Sequence, residues 1–128
     1  MKKSGKMNIN ARLASFSFAL DGIVTLFKEE ANAKIHLTCA ILVIIAGFLL
    51  QVSTAEWMVL IFAMAFVIAL ELVNTALEKL CDLVHPEKHN QIKKIKDMAA
   101  GAVLLAAIAA ALLACFIFLP KMWLLVSE

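Results

Sequence analysis

The sequence contains none of the phosphate-cradling loops of soluble nucleotide enzymes: there is no GxxxxGK[ST], no GxGxxG and no HRD-type segment. It also lacks tyrosine, and only 17% of its residues are charged against 63% hydrophobic, with a mean hydropathy of +0.91. Soluble globular domains hold about 45–50% apolar residues, so this composition excludes that class and describes an integral membrane protein. The chain is short enough that 1–128 reads as a single domain with a few spans and no separate soluble part. No internal repeat or low-complexity linker divides it. Cys39, Cys81 and Cys115 form no CxxC pair and have no histidine at metal spacing, so they read as small buried hydrophobes. Nothing suggests a nucleic-acid partner.

What the sequence does have is three apolar stretches, at about 35–52, 55–80 and 97–119, each near the ~20 residues that a bilayer requires. Residues 1–34 are too polar to span, and they lack the apolar core and cleavage site of a signal peptide. Lys2, Lys3, Lys6, Arg12, Lys28 and Lys34 precede the first stretch, and Lys79, Lys88, Lys93, Lys94 and Lys96 surround the second connection. The first connection carries no basic residue. By the positive-inside rule, the N-terminus and second connection face the cytoplasm, with Trp57 and Trp123 at the outer interface.

The second stretch is charge-free from Trp57 to Leu70 and then turns polar at Glu71, Asn74 and Glu78, with Asp82 a turn further on. On a helix, Glu71, Asn74 and Glu78 fall within about 60° of one another. An ionised carboxylate inside hydrocarbon costs at least ~2.5 kcal/mol, so such residues face protein, water or a ligand. This stripe is the candidate site.

Around it the chain supplies further parts. Ile9, Leu13, Phe16, Leu20, Ile23, Val24 and Phe27 share one face of a helix over 9–30, capped by Asn10. That pattern predicts an amphipathic helix lying in the membrane surface. At its end Glu30 falls on the same side of the membrane as Glu78, and two carboxylates are the number through which Mg²⁺ commonly binds beside phosphate oxygens. His36 reads as an interfacial residue without a special role. Pro86 stops the second long helix. Beyond it a lysine-rich loop leads to Lys96 and Asp97, where an ammonium can hold a phosphate. The third stretch opens with Ala99, Ala100 and Gly101, small residues that admit a helix or a ligand.

Two function classes fit these parts. One is an enzyme that phosphorylates a lipid headgroup with ATP–Mg²⁺ from the basic side. The other is a small ion-conducting protein using the stripe as a relay. An ion path needs polar groups across the whole membrane, and the outer halves of these stretches are apolar, which favours the enzyme.

Glu71-x-x-Asn74-x-Ala76-x-Glu78, followed by Lys96-Asp97-Met98 and a run of small residues, resembles the prokaryotic diacylglycerol kinase family, which includes undecaprenol kinases. The resemblance implies a homotrimer of three-span chains with an N-terminal surface helix, in the cytoplasmic membrane of a bacterium. It implies Glu71 as the base toward a lipid hydroxyl, and Glu30 and Glu78 as ligands of Mg²⁺ and, through it, ATP. Asn74, Glu87, Lys88, His89, Lys96, Asp97 and Phe18 would serve the nucleotide, and Ala100 the lipid. Ala99-Ala100 and the segment from Asp82 to His89 look more like the undecaprenol kinase branch, which implies undecaprenol rather than diacylglycerol as acceptor.

Overall fold

A computed structural model describes residues 8–127 and is all-α: α1 (Ile9–Glu29), α2 (Ala31–Leu49), α3 (Thr54–Val84) and α4 (Asn90–Val126). The last three are each long and apolar enough to cross a membrane. The principal packing is of α3 on α4, with α2 beside α3 and α1 touching the α2 and α3 ends. Lys2, Lys3 and Lys6 lie outside the described residues.

The helices outrun the apolar stretches read from hydropathy. Helical hydrogen bonding does not stop where apolar residues do, so α4 starts at Asn90 and runs through Pro120 to Val126. Pro120 has no N–H to donate to the Phe116 carbonyl, a loss tolerated in membrane helices. α3 ends at Val84, with His85 as cap just ahead of Pro86; the residue before a proline is disfavoured from helical geometry.

The first helix differs from its sequence reading in two respects. Its cap is Asn8, whose side chain accepts from the Asn10 N–H at 3.2 Å. The expected apolar face stays exposed at Ile9, Leu13, Phe16, Leu20, Ile23 and Val24, while Leu26, off that face, is the buried contact. The helix therefore docks by one flank near its end and leaves its apolar face for another environment. The cysteines differ as well: Cys81 is buried, but Cys39 and Cys115 are exposed on apolar helix surfaces.

Far from the carboxylate stripe, α2 turns into α3 within a few residues. The Val52 N–H donates to the Gly47 carbonyl and the Gln51 N–H to that of Phe48, a Schellman closure with Gln51 at φ +49°. A side chain in that region costs roughly 1–2 kcal/mol. Ser53 and Glu56 then form a reciprocal capping box, and Glu56 also pairs with Lys121 of α4 at 3.0 Å. Gly47 is buried against Trp57, where an added Cβ would lie 2.5 Å from a ring carbon.

Two substitutions in this turn act with opposite sign. Gly47→Ala is expected to destabilise by about 1–3 kcal/mol through overpacking against Trp57. Gln51→Gly stabilises by about 1 kcal/mol through relief at positive φ. Thermal unfolding in detergent reads both; shifts in the same direction would contradict the turn geometry.

Candidate functional site

The stripe on α3 runs from buried to exposed. Glu71, Asn74 and Thr75 are buried, with Glu71 only 3% exposed; Glu78 is half-buried and Asp82 is exposed. Upstream on the same face, Leu60, Ala63 and Val67 are buried, so helical periodicity carries an apolar packing face directly into a carboxylate. The Asn74 Nδ2 makes a long 3.5 Å contact to Glu78 Oε1, while Asn74 Oδ1 and Thr75 Oγ1 have no protein partner. Glu30, Glu78 and His36 all lie close enough to Glu71 to act on it electrostatically. Two further carboxylates, from two chain segments, thus act on one buried carboxylate.

Beside the exposed end of the stripe is a cleft of about 640 Å³ between the end of α3, the connecting loop and the start of α4. Glu78, Glu87, Lys88, His89, Lys96, Asp97 and Ala100 line it together with Asp82 and Lys93. Lys96 Nζ pairs with Asp82 at 2.8 Å, and Lys93 pairs with Asp97. The loop is ordered locally: His89 caps α4 by accepting from the Gln91 N–H, and the His85 and His89 rings lie 5.1 Å apart. The cleft mixes ammonium and carboxylate groups at its wall, a polar surface suited to a charged ligand accompanied by a cation.

Not every expected residue is at this cleft. Glu71 and Asn74 sit further along α3, and Glu30 comes from the α1–α2 elbow. Phe18 is exposed on α1, 70% accessible. Ala100 is on the rim of the polar cleft, whereas an apolar cavity of about 290 Å³ lies deeper between α2, α3 and α4. Its lining includes Ala107, Ala110, Ala111 and Ala114 of α4, and His36 is the one ionisable nitrogen side chain in it. Two residues near Glu71 escaped the sequence reading. The sequence alone reads His36 as interfacial and gives no signal for Thr75 beside Asn74; threonine is common on packed membrane faces, so its identity alone carries little information.

The donor set suits Mg²⁺. Among the described residues no three His, Cys, Asp or Glu side chains converge as a metal cage. Glu30 and Glu78, both half-buried and both near Glu71, offer hard oxygens and leave coordination positions for water and phosphate, as Mg²⁺ prefers.

Burial of Glu71 is a cost to the fold. Replacing it by the isosteric, uncharged Gln is expected to stabilise the protein by about 1 kcal/mol or more. A lowered unfolding temperature for Glu71→Gln at pH 8 would show instead that the carboxylate is a structural partner.

Comparison with known proteins agrees with the motifs. Residues 17–118 match the family described as prokaryotic diacylglycerol kinase. The chain is 37% identical over 120 residues to the undecaprenol kinase of Bacillus subtilis (strain 168), covering 94% of this chain and 98% of that protein. It is 40% identical over 111 residues to a diacylglycerol kinase of Synechocystis sp., covering 86% of this chain and 63% of that longer protein. With the diacylglycerol kinase of Escherichia coli (strain K12) it shares 26% over 100 residues, 78% and 82% of the two chains. With the family motifs gathered around one cleft and one buried carboxylate, the chain belongs to the prokaryotic diacylglycerol kinase family.

Proposed function

We propose that this protein transfers the γ-phosphoryl group of ATP to the hydroxyl of a membrane lipid alcohol, with undecaprenol preferred over diacylglycerol. The observation that carries the reading is a buried carboxylate, Glu71, on the same face of α3 as Glu78 and two turns from it, with Glu78, Lys96 and Asp97 lining a polar cleft. A lipid alcohol approaches through the apolar region, whereas a nucleotide approaches through the cleft. The two meet at the stripe.

In this reading Glu71 accepts the proton of the lipid hydroxyl as its oxygen bonds to the γ-phosphorus. The bond from that phosphorus to the bridging oxygen breaks, and ADP leaves. Glu71 is only 3% exposed, and a base largely withdrawn from bulk water is one that can take the hydroxyl proton without competing hydrolysis. Glu30 and Glu78 would hold Mg²⁺, which when bound neutralises charge on the phosphates. Lys96 would contact the phosphates after exchanging its bond to Asp82 for one to the nucleotide, and Asp97, Asn74 and the loop from Glu87 to His89 would complete the nucleotide side. Phe18, exposed on α1, would reach the nucleotide only in the assembled protein, which we take to be a homotrimer; the exposed apolar helix faces are consistent with such packing and with lipid. Ala100 gives the lipid headgroup access at the rim. The lysine distribution supports a cytoplasmic location for this end of the bundle, and the bacterial relatives support a bacterial inner membrane.

Undecaprenol as acceptor is supported by the likeness to the Bacillus protein over nearly the full length of both chains. The 40% identity to the Synechocystis protein supports diacylglycerol as the second reading.

Phosphate transfer from labelled ATP in mixed micelles, with the two lipids separately and in competition, tests the assignment. Mg²⁺-dependent transfer mainly to undecaprenol is expected. Transfer mainly to diacylglycerol would overturn the acceptor, and transfer to neither would overturn the kinase reading in favour of an ion relay.

A further inference from the structure

Glu30 is the single non-helical residue between α1 and α2, in extended geometry at φ −100° and ψ 119°. Its N–H donates to the Leu26 carbonyl, and its own carbonyl accepts from the Lys34 N–H. The direction of its side chain therefore depends on how the α1–α2 elbow is set against α3. Leu26 and Ala33, both buried, hold the elbow from within, but a buried leucine and alanine fix distance better than rotation.

Among the described residues one ion pair joins α1 to another helix: Lys79 Nζ to Glu29 Oε2, at 2.5 Å. Glu29 directly precedes Glu30, and Lys79 directly follows Glu78. The pair thus ties together the two backbone positions adjacent to the two carboxylates assigned to Mg²⁺, and Lys79 also lies within electrostatic reach of Glu30. Both side chains are about half exposed (55% and 52%), and an exposed ion pair adds little to overall stability. Its value is geometric, since residues one step outside a metal's ligands often decide how those ligands are presented.

We propose that Glu29 and Lys79 are positioning residues, whose ion pair locks the α1–α2 elbow to α3 so that Glu30 and Glu78 face one divalent cation. The inference rests on the cation site proposed above. It separates from a plain charge effect by sign. Removing the Lys79 ammonium would strengthen cation binding by simple electrostatics, and removing the Glu29 carboxylate would weaken it. Loss of positioning weakens binding in both cases.

Mn²⁺ binding to the purified full-length protein in detergent, with a non-hydrolysable ATP analogue and read by electron paramagnetic resonance, distinguishes these. Glu29→Gln and Lys79→Gln are each expected to weaken binding about tenfold. The exchange Glu29→Lys with Lys79→Glu restores it to within about twofold, since it rebuilds the same pair. Tighter binding in Lys79→Gln, unchanged binding in either single variant, or an exchange as weak as the singles would overturn the positioning role. Glu78→Gln is the control for the site itself. If it binds Mn²⁺ as tightly as the native protein, the cation assignment fails and the positioning role with it.

Discussion

An ionised carboxylate such as Glu71 costs at least ~2.5 kcal/mol inside hydrocarbon, and the rest of the structure is arranged around that cost. The side chain is seated by a face of α3 on which Leu60, Ala63 and Val67 make a packed approach from one end and Asn74 and Thr75 continue it at the other. Neither Asn74 Oδ1 nor Thr75 Oγ1 is satisfied by protein. A fold selected for stability alone would place aliphatic groups at these positions, as it does one and two turns earlier. The concentration of unsatisfied polarity at one depth is what marks this part of α3 as the candidate site.

From that depth the stripe becomes progressively wetter, and each step changes what the residue can do. Glu71 is the least exposed, the position proposed above for proton transfer. Glu78, half-buried, borders both the enclosed region and the cleft, so it can meet a cation shared with phosphate. Asp82 is exposed and engages Lys96. The 1.5 Å rise of the helix separates Glu71 from Glu78 by about 10 Å, so in the proposed reading a single helix would grade proton chemistry into nucleotide binding without a phosphate-binding loop. The long α4 matches it by presenting lysines at one end and small residues beyond them.

Much of this was legible in the sequence because it is carried by strong local signals. Helical spacing put Glu71, Asn74 and Glu78 on one face, and proline chemistry put the end of α3 just before Pro86. The reading failed where structure depends on how helices meet. The apolar face of α1 was visible, but docking occurs through Leu26 on its flank, because the contact is dictated by the elbow at Glu30 and not by the strongest hydrophobic periodicity. Glu29 and Lys79 are fifty positions apart, and nothing in either neighbourhood announces the pair. His36 looked like a residue of the interface; packing of α2 on α3 carries it to the cavity near Glu71. The exposure of Cys39 and Cys115 departs from the sequence expectation for a related reason. In a membrane chain, exposed helix surfaces are as apolar as the core, so composition does not separate the two.

The division of labour between the buried carboxylate and the cleft is the central claim, and one comparison addresses it directly. The measurement is equilibrium binding of Mg²⁺–ATP alongside single-turnover phosphate transfer for Glu71→Gln and the native protein in the same micelles. The account predicts nucleotide affinity within about threefold of native and a loss of transfer of 10²-fold or more, the scale expected for removing a base. Retained transfer, or nucleotide binding lost together with it, would contradict the separation of proton transfer at Glu71 from nucleotide binding at the cleft.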